Sequence, residues 1–484
     1  MQFLNPRYEH EELTFDDVFL MQGYFDGTSR MKDLDLTPWC LNLKIPIISA
    51  NMNSVTWKRF SETIARYGGL GILPQDMSNE TMMRIIQHIK SASVEYDTPL
   101  VVTQQDFVRD CLDIIYKRDH GCVVVVDNHY KPISLLTVKD LQWFDPFTEV
   151  SHIIKNRLPV VTGVSGISSR EAFDLMHHER INALPIVDGQ WKLVGILTKK
   201  WCVRKDIYTP TLDAQGRLDV GVAVGINSYQ ERLDPIIELG VTTIVLDTAH
   251  GYQKNMIEAI KHVKSRYGKK ITLVAGNIVV PQWVEDLLEA GADGIKVGIW
   301  PGAMCTTRMK TAVGRPQITA VYTCSLAAKK KWWFVWADGG IRTPRDVCLV
   351  LAAGASHAFF GSIFAGTYES TGTVKIDPDG QMYKENFGMA SGRAVTGRNG
   401  ELDEFDLMKK SLFQEGISHG KSYLQKGREG LGDIIDDLIF GLRSSMTYVW
   451  AKTIQEYQDK AVMGVQTSGG YREGMAIDKM RYSL

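Results

Sequence analysis

Short and almost uninterrupted runs of apolar residues recur along the chain, with segments of helical periodicity between them. The eight clearest runs are 45–50, 69–73, 220–225, 242–248, 271–276, 294–299, 333–338 and 357–362. Runs of this kind are typical of parallel strands that helices cover. Segments 281–293 and 344–356 indicate amphipathic helices that end near a glycine. Eight alternations of strand and helix predict an α/β fold, a (β/α)8 TIM barrel, with a doubly wound sheet as the alternative.

One interval breaks this alternation, because the segment between the second and third runs is far too long for one βα unit. It contains an internal repeat, in which residues 120–141 parallel residues 181–202 and Thr137 corresponds to Thr198. Each copy reads as a helix, a strand, a tight turn, a strand and a helix. Since one copy buries too little surface to be stable alone, we expect the two copies to pack together.

The overall composition excludes several classes of protein. Hydrophobic residues make up 44% of the chain and charged residues 23%, as in ordinary globular proteins. The 55 Lys and Arg against 56 Asp and Glu argue against a nucleic-acid binder that relies on bulk positive charge. No apolar run has the roughly 18 residues that a membrane span needs, and seven scattered cysteines indicate a reduced intracellular, cytoplasmic protein. The final Tyr482-Ser483-Leu484 faintly resembles a peroxisomal tail, so a peroxisome or glycosome is the alternative location.

Polar residues and glycines end the predicted strands, at the face where TIM barrels place their chemistry. Asp338-Gly339-Gly340 ends the seventh run and Gly361-Ser362 ends the eighth. Glycine turns let backbone N–H groups approach a phosphate, and barrels often bind phosphate after strands seven and eight. Asp338 is then placed to accept both hydroxyls of a ribose. Other strands end at Asn51, Asp247 and Asn277.

The loop after the sixth run carries a candidate nucleophile, Cys305, in a stretch rich in Gly, Pro and Thr. A cysteine at the carboxyl end of a barrel strand can be reactive if a cation or a helix start stabilises its thiolate. Arg308 could supply that cation. A buried structural cysteine is the alternative, and it is our interpretation of Cys122, Cys324 and Cys348, which lie in strand or helix patterns.

Several long motifs resemble the IMP dehydrogenase/GMP reductase family over essentially the whole chain. They are LTFDDVFL (13–20), PGAMCTT (301–307), GRPQ (314–317), ADGGIRTPRDV (337–347), LAAGA (351–355) and FAGTYES (364–370). The resemblance implies an oxidoreductase in which Cys305 attacks C2 of a purine nucleotide to form a thioimidate.

The repeat resembles a tandem pair of CBS (cystathionine-β-synthase-type) modules, which as a family bind adenine or guanine nucleotides. It implies barrel regions at 1–95 and 215–484 and a CBS domain at 96–214. The resemblance places Asp140 on the ribose of a purine nucleotide effector, whereas Trp201 stands at the matching position of the second copy. An assembly domain without a ligand is the alternative.

Details of the resemblance favour the reductase branch of the family over the dehydrogenase branch. The segment after residues 388–391 lacks the Arg-Tyr pair with which dehydrogenases activate water, and 414–416 resembles a reductase segment whose glutamate works with a threonine. The strand end 50–52 is also similar to reductases. The implied reaction is the NADPH-dependent reductive deamination of GMP to IMP and ammonia. NAD-dependent IMP dehydrogenation and a catalytically silent nucleotide sensor are the alternatives.

The resemblance also implies the residues of each site. Cys305 is the expected nucleophile, and Thr307 and Glu415 are expected to pass a proton to the leaving amino group. The expected substrate-binding residues are Asp338, Gly339, Gly340, Gly361, Ser362, Gly388, Met389 and Ala390. The expected cofactor-binding residues are Asp247, Thr248, Ala249, Ile299 and Trp300. A K+ ion is expected at loop carbonyls of Trp300, Gly302, Cys305 and Arg308.

The resemblance implies a homotetramer, with octamers formed through the inserted domains as an alternative. Gln75 departs from the branch without CBS modules, which carries a cofactor-binding lysine near that position. No catalytic divalent metal, nucleic acid or membrane is expected as a partner.

Overall fold

The computed structural model describes residues 1–155, 160–227, 229–299, 302, 304–331, 333–389, 391–394, 403–412 and 416–475. Eight parallel strands close into a barrel within this part of the chain. In chain order, the first to eighth barrel strands are Ile47–Ser49, Leu70–Leu73, Gly221–Val224, Thr243–Asp247, Thr272–Ile278, Gly294–Val297, Phe334–Asp338 and His357–Phe360. Seven of the predicted runs contain one of these strands, and the run 271–276 overlaps the fifth strand, which extends to Ile278. The predicted TIM barrel is therefore confirmed, and the doubly wound alternative is wrong.

The barrel interior is a packed core of large side chains. Trp336 and Phe359 stack inside it with ring centroids 5.8 Å apart, and both are almost completely buried. Ile48, Ile72 and Val274 belong to the same cluster. Alternate residues of each strand face outwards onto the helices, so the strands are buried on both sides, which explains their continuous apolar composition.

Helices surround the barrel and connect its strands. Those before the inserted repeat are Lys58–Arg66 and Asn79–Ser91. Those after it are Gln230–Glu238, Lys254–Tyr267, Pro281–Glu289, Thr307–Thr311, Gln317–Lys329, Pro344–Ala352, Ser362–Ala365, Glu404–Ser411, Leu431–Tyr448, Ile454–Lys460 and Ser468–Glu473. Two of them, Pro281–Glu289 and Pro344–Ala352, lie within the helical segments predicted at 281–293 and 344–356. Short 3-10 helices occupy Pro6–His10 and Gly268–Lys270.

The repeat between the second and third barrel strands forms two three-stranded sheets of matching order. The first copy has strands Val101–Thr103, Cys122–Val126 and Pro132–Thr137 and helices Val108–Ile115, Val138–Leu141 and Val150–Ile154. The second has strands Gly163–Val164, Ala183–Val187 and Leu193–Thr198 and helices Ser169–His178 and Lys199–Lys205. Val124 of the first copy and Ile196 of the second share one buried cluster, which confirms that the copies pack together.

Two small sheets complete the described fold. Strands Gln2–Phe3 and Val18–Leu20 pair with Val462–Val465, joining the two ends of the chain. Strands Lys375–Ile376, Met382–Asn386 and Gly420–Tyr423 form the other sheet, which leads into Gly388 and Met389. Across the described ranges, every helix is too short or too polar to cross a bilayer.

Candidate active site

The loop that carries Cys305 begins directly after the sixth barrel strand, at Gly298. A Cβ atom on Gly298 would lie 1.9 Å from the carbonyl oxygen of Asp338, so only glycine fits this close approach. The Cys305 N–H then donates to the Gly302 carbonyl at 3.0 Å, which closes a turn. Cys305 is half-buried and lies two residues before the helix Thr307–Thr311. The structure thus places the predicted nucleophile on a loop at the carboxyl face of the barrel.

Two further segments of the chain join this loop. Cys305 pairs with Gly416 in an antiparallel bridge, and Ile417 donates its N–H to the Met304 carbonyl at 2.9 Å. Gly388 in turn donates to the Ile417 carbonyl at 3.0 Å. A Cβ atom on Gly388 would lie 2.8 Å from the Met304 oxygen, so this packing also requires glycine. The cysteine loop, the segment after Met382–Asn386 and the segment around 416 therefore meet in one place.

Thr307 is brought close to Cys305 by the same turn, as the first residue of the short helix, and it is buried. Glu415, Trp300 and Ala390 lie outside the described residues, as do the last three residues of the chain. The described neighbour of Glu415 is Gly416, the residue that pairs with Cys305.

The glycine turns after the seventh and eighth strands lie at the same face as Cys305. Gly339 and Gly340 have φ angles of 93° and 77°, a backbone region in which glycine is favoured. Gly361 precedes the helix Ser362–Ala365, and a Cβ atom there would lie 2.8 Å from Sδ of Met52. These turns present backbone close to the open end of the barrel, and a side chain at Gly361 would require Met52 to move.

A buried lysine, Lys296, connects two of the predicted site residues. Its Nζ atom lies 3.0 Å from Oδ1 of Asp247 and 2.6 Å from Oδ2 of Asp338. The lysine side chain is 3% exposed, and each carboxylate is 20% exposed. Sequence analysis did not single out Lys296, because this lysine lies within an otherwise apolar strand. The signal that could have found it is a charged residue in the middle of such a strand, since buried charges are almost always paired.

Two asparagines extend this group around the barrel mouth. Asn51 donates from Nδ2 to Oδ2 of Asp247 at 2.8 Å, and Asn277 donates to Oδ2 of Asp338 at 2.8 Å. Burial opposes the charge on Lys296, but Asp247 and Asp338 outweigh it and raise the pKa of this lysine. The group therefore carries one cation and two carboxylates, an excess of hydrogen-bond acceptors at the open face.

The residues predicted for the cofactor lie next to this group. Thr248 follows the fourth strand, and its N–H and Oγ1 donate to the Gly276 carbonyl at 3.0 and 3.3 Å. Ala249 is exposed, whereas Ile299 is buried at the start of the cysteine loop. The structure thus gathers Asp247, Thr248 and Ala249 in one loop at the barrel mouth, and Ile299 belongs to the neighbouring loop.

The inserted repeat holds its predicted ligand residue by local bonds. Oδ2 of Asp140 accepts from the N–H and the Oγ1 of Thr137 at 2.8 and 2.7 Å, which caps the helix Val138–Leu141. At the matching position Trp201 is buried, with its ring 5.2 Å from that of Tyr67 on the barrel. The second copy therefore uses this position for packing.

Three other cysteines were interpreted from the sequence as structural. Cys122, Cys324 and Cys348 are buried, as their strand and helix patterns indicated. Within the described ranges, no three His, Cys, Asp or Glu side chains are grouped so that they could hold a metal ion.

Comparisons with known proteins agree with this arrangement. Residues 12–476 match the model of the IMP dehydrogenase / GMP reductase domain. Among curated proteins, GMP reductase from Mycobacterium bovis is 43% identical over 476 residues, covering 98% of both chains. Inosine-5'-monophosphate dehydrogenase from Aquifex aeolicus is 36% identical over 477 residues, covering 97% of this chain and 96% of the relative. Among solved structures, a cysteine-to-alanine variant of GMP reductase from Trypanosoma brucei, in complex with guanosine 5'-monophosphate, is 31% identical with a TM-score of 0.68 and covers 97% of this chain and 98% of its own.

Proposed function

The chain belongs to the IMP dehydrogenase/GMP reductase family, and we propose that it catalyses the NADPH-dependent reductive deamination of GMP to IMP and ammonia. The bridge between Cys305 and Gly416 carries this proposal, because it holds the neighbour of Glu415 beside the nucleophile. The higher identity to GMP reductases than to IMP dehydrogenases, 43% against 36%, favours the same reaction.

In the proposed complex, the phosphate of GMP lies on the backbone N–H groups of Gly340, Gly361 and Ser362. Glycine turns suit an anion because glycine has no side chain that would keep the anion away from the backbone N–H donors. The Asp338 carboxylate accepts the ribose hydroxyls. The purine lies against Gly339, Gly388, Met389 and Ala390, which brings its C2 atom towards the Cys305 loop.

Covalent catalysis then begins at Cys305. Its thiolate adds to C2 of the guanine ring, and the ring nitrogen next to C2 takes up the electron pair of the broken π bond and a proton. The C2–N bond to the exocyclic amino group breaks after that group is protonated. In the proposed mechanism Thr307 delivers this proton, and Glu415 orients the threonine hydroxyl and replaces its proton. Ammonia leaves, and a thioimidate remains on Cys305.

The reduced nicotinamide supplies, when bound, the hydride that C2 must receive. Breakage of the C–S bond then returns the thiolate of Cys305 and releases IMP. Over the cycle GMP, NADPH and two protons become IMP, NADP+ and ammonium. The chain's own contribution is to hold C2 between the cysteine and the cofactor face, and to move one proton to the leaving group.

The cofactor site is proposed at Asp247, Thr248, Ala249, Ile299 and Trp300. The structure supports a fit because Asp247, at 20% exposed, offers a carboxylate of the kind that accepts a ribose diol. It shares Lys296 with Asp338, so the two proposed ribose sites are adjacent at the barrel mouth. In the proposed complex the nicotinamide lies beside the base of GMP.

A K+ ion is proposed at carbonyl oxygens of Trp300, Gly302, Cys305 and Arg308. Gly302 and Cys305 fit such a site because they belong to one turn, joined by the Cys305 N–H bond to the Gly302 carbonyl. The ion would stabilise the conformation of this loop. It takes no part in bond making.

For the inserted region we propose a tandem CBS domain over 96–214, between barrel regions 1–95 and 215–484. Purine nucleotides would bind there as effectors, with Asp140 on the ribose, and change activity through assembly of homotetramers into octamers. Regulation of this kind requires that the effector bind one assembly state more tightly than the other. The exposed Tyr130 and Trp191, at matching turns of the two copies, support a surface that meets another molecule.

A spectrophotometric assay of the purified protein tests the proposed reaction. We expect loss of NADPH absorbance with GMP and release of ammonium in equal amounts. Gain of NADH absorbance with IMP and NAD would instead identify a dehydrogenase. No change with either pair would identify a catalytically silent nucleotide sensor.

A further inference from the structure

Lys296 is the only cation among the charged side chains that meet at the barrel mouth in the described structure. It rises from the sixth strand, and its Nζ atom reaches Asp247 on the fourth strand and Asp338 on the seventh. The same atom lies 5.1 Å above the ring centre of Phe359, so an aromatic ring occupies a third side of the ammonium group. Its donors are thus directed at protein groups, so Lys296 does not contact a nucleotide itself.

The two carboxylates differ in how they use this lysine. Asp338 accepts both Lys296 and Asn277 on Oδ2, and neither of these bonds uses Oδ1. Asp247 accepts Lys296 on Oδ1 and Asn51 on Oδ2. An ionised carboxylate has about four acceptor positions, so each retains capacity for ligand hydroxyls. The bonds from Lys296, Asn277 and Asn51 fix the orientation of the two carboxylates, and so the direction in which their remaining acceptor positions point.

Removing the lysine would leave two partly buried carboxylates together without a cation. Breaking a buried ion pair by deleting one partner is strongly unfavourable, because the remaining charge is uncompensated. The like charges would move apart or turn towards water. Either response would change the position of the carboxylate at both proposed ribose sites, although the substituted residue contacts neither ligand.

We propose that Lys296 is a positioning residue shared by the two nucleotide sites, and that it sets the affinity for the GMP ribose through Asp338 and for the NADP(H) ribose through Asp247. This inference rests on the proposed function for the identity of the two ligands. Its central statement is that one side chain, out of contact with either ligand, controls both affinities.

Calorimetric titrations of the full-length protein test this proposal. GMP is titrated alone, and NADP+ is titrated in the presence of saturating IMP. For Lys296→Gln, we expect both dissociation constants to rise by about tenfold or more. Asp338→Asn should weaken mainly GMP, and Asp247→Asn mainly NADP+. Lys296→Arg keeps the charge and should recover both affinities to within about fivefold of the parent.

Lys264→Gln is the matched control. Lys264 pairs at 2.9 Å with Asp293, which directly precedes the strand that carries Lys296, and this pair lies away from the barrel mouth. The substitution should leave both constants within about twofold of the parent. A role confined to stability would lower the fraction of folded protein without changing the dissociation constants of the folded molecules. Constants within twofold of the parent in Lys296→Gln, or a change for only one ligand, would overturn the proposal.

A second comparison applies if Lys296→Gln alone does not fold. Adding Lys296→Gln to Asp338→Asn removes one positive and one negative charge in all, so only Asp247 is left without its cation, whereas Lys296→Gln alone leaves both carboxylates unpaired. Relative to Asp338→Asn, the double variant should bind NADP+ about fivefold more weakly and GMP with no further loss. Unchanged NADP+ binding would contradict the shared role. Because no arm requires turnover, a protein that binds both nucleotides but does not reduce GMP would refute the proposed reaction alone.

Discussion

Two buried groups of charged side chains, one at the barrel mouth and one where the inserted repeat meets the barrel, are built differently. At the mouth one lysine faces two carboxylates that are each 20% exposed. At the junction Arg66 and Arg118 face Glu62 and Asp97, and both arginines and Glu62 are at most 2% exposed. The junction pairs two cations with two carboxylates, and of these four side chains only Asp97, at 20% exposed, reaches solvent. The mouth has one cation for two carboxylates and so has an excess of acceptors at an open face.

The difference separates a binding site from a structural contact. At the junction Arg118 bonds to Glu62 and, at 2.9 Å, to Asp97, while Arg66 bonds to Asp97 at 2.8 Å. Each charge there is met by an opposite charge of the same chain. At the mouth the acceptor capacity exceeds what the chain supplies as donors, and ribose hydroxyls are the donors that would use it. Burial of charge alone therefore does not identify a site.

The largest effect is expected at the mouth, for Cys305→Ala. Without the sulfur no covalent intermediate forms, so turnover of GMP should fall by about 10³-fold or more, while GMP binding stays within about threefold because its phosphate and ribose contacts remain. Steady-state rates and calorimetry measure the two effects. Cys40→Ala is the control, since Cys40 is also half-buried but burial raises the pKa of its thiol to about 12. Turnover by Cys305→Ala within tenfold of the parent would remove the covalent mechanism.

At the junction, Arg118→Met should cost stability rather than catalysis. It leaves Glu62 buried without its closest cation, and breaking such a pair costs about 3–5 kcal/mol of unfolding free energy. Urea denaturation measures this loss. The exposed pair of Arg170 and Asp174 gives the control, Arg170→Met, for which less than about 1 kcal/mol is expected. If Arg118→Met is as stable as the parent, or if its affinity for GMP is altered, the junction is not a purely structural contact.

Glu415→Gln tests whether the segment beside Cys305 carries the proton to the leaving group. An amide cannot replace the proton of the threonine hydroxyl, so the rate of ammonia release should fall by about 10²-fold or more. Rapid-quench measurements separate ammonia release from hydride transfer. Glu404→Gln, on the exposed start of the helix Glu404–Ser411, is the control. Normal reduction of GMP by Glu415→Gln would assign the proton to another group.

The junction also contains a carboxylate that should make stability depend on pH. Burial, followed by the charges of Glu369 and Asp433, raises the pKa of Asp119 to about 7. The folded protein therefore keeps a proton that the unfolded chain releases near pH 4. The associated stability is complete below about pH 4 and is lost as the pH rises to about 7.

Asp119→Asn should remove this contribution, so the decrease in unfolding free energy between pH 4 and pH 7 should be about 1–3 kcal/mol smaller than in the parent. Urea titrations at several pH values measure the difference. Asp113→Asn, an exposed position on the neighbouring helix Val108–Ile115, should follow the parent. Parallel curves for the parent and Asp119→Asn would show that Asp119 is ionised in the fold throughout.

The smallest effect is expected for Asp140→Ala in the inserted repeat. Removal of the proposed ribose contact should weaken binding of GTP or ATP to the repeat about tenfold, with GMP turnover unchanged. Loss of the helix cap itself costs about 1 kcal/mol. Glu171→Ala removes a cap of the same kind, at Ser168 on another helix of the second copy, and should leave nucleotide binding unaffected. Equal weakening in both variants would identify Asp140 as a capping residue only.

The sequence predicted those parts of the molecule that short stretches determine. All eight strands were found because both faces are buried, which makes each run continuously apolar. The repeat was found because its two copies share a spacing, and both Thr137 and Thr198 end a strand. Ligand binding by Asp140 stays a prediction, and its bonds to Thr137 show a capping role that the motif alone does not reveal.

Long-range pairing explains what the sequence did not predict. Lys296 acquires its role from strands four and seven, and nothing within its own strand indicates those partners. The bridge of Cys305 to Gly416 similarly depends on the path of the chain between them. The junction of Glu62 with Arg118 was not foreseen, and removal of residues 96–214 would take Arg118 from Glu62 and Asp97 from Arg66.

Trapping the adduct between Cys305 and the purine C2 atom distinguishes covalent attack from every other use of this cysteine. The protein is mixed with GMP, quenched in acid and digested, and the peptides are analysed by mass spectrometry. We expect the peptide containing Cys305 to gain the mass of GMP less ammonia, and this gain to disappear in Cys305→Ala and when NADPH is added before the quench. An unmodified Cys305 peptide from protein that is turning over GMP, or the same adduct on another cysteine, would contradict covalent attack by Cys305.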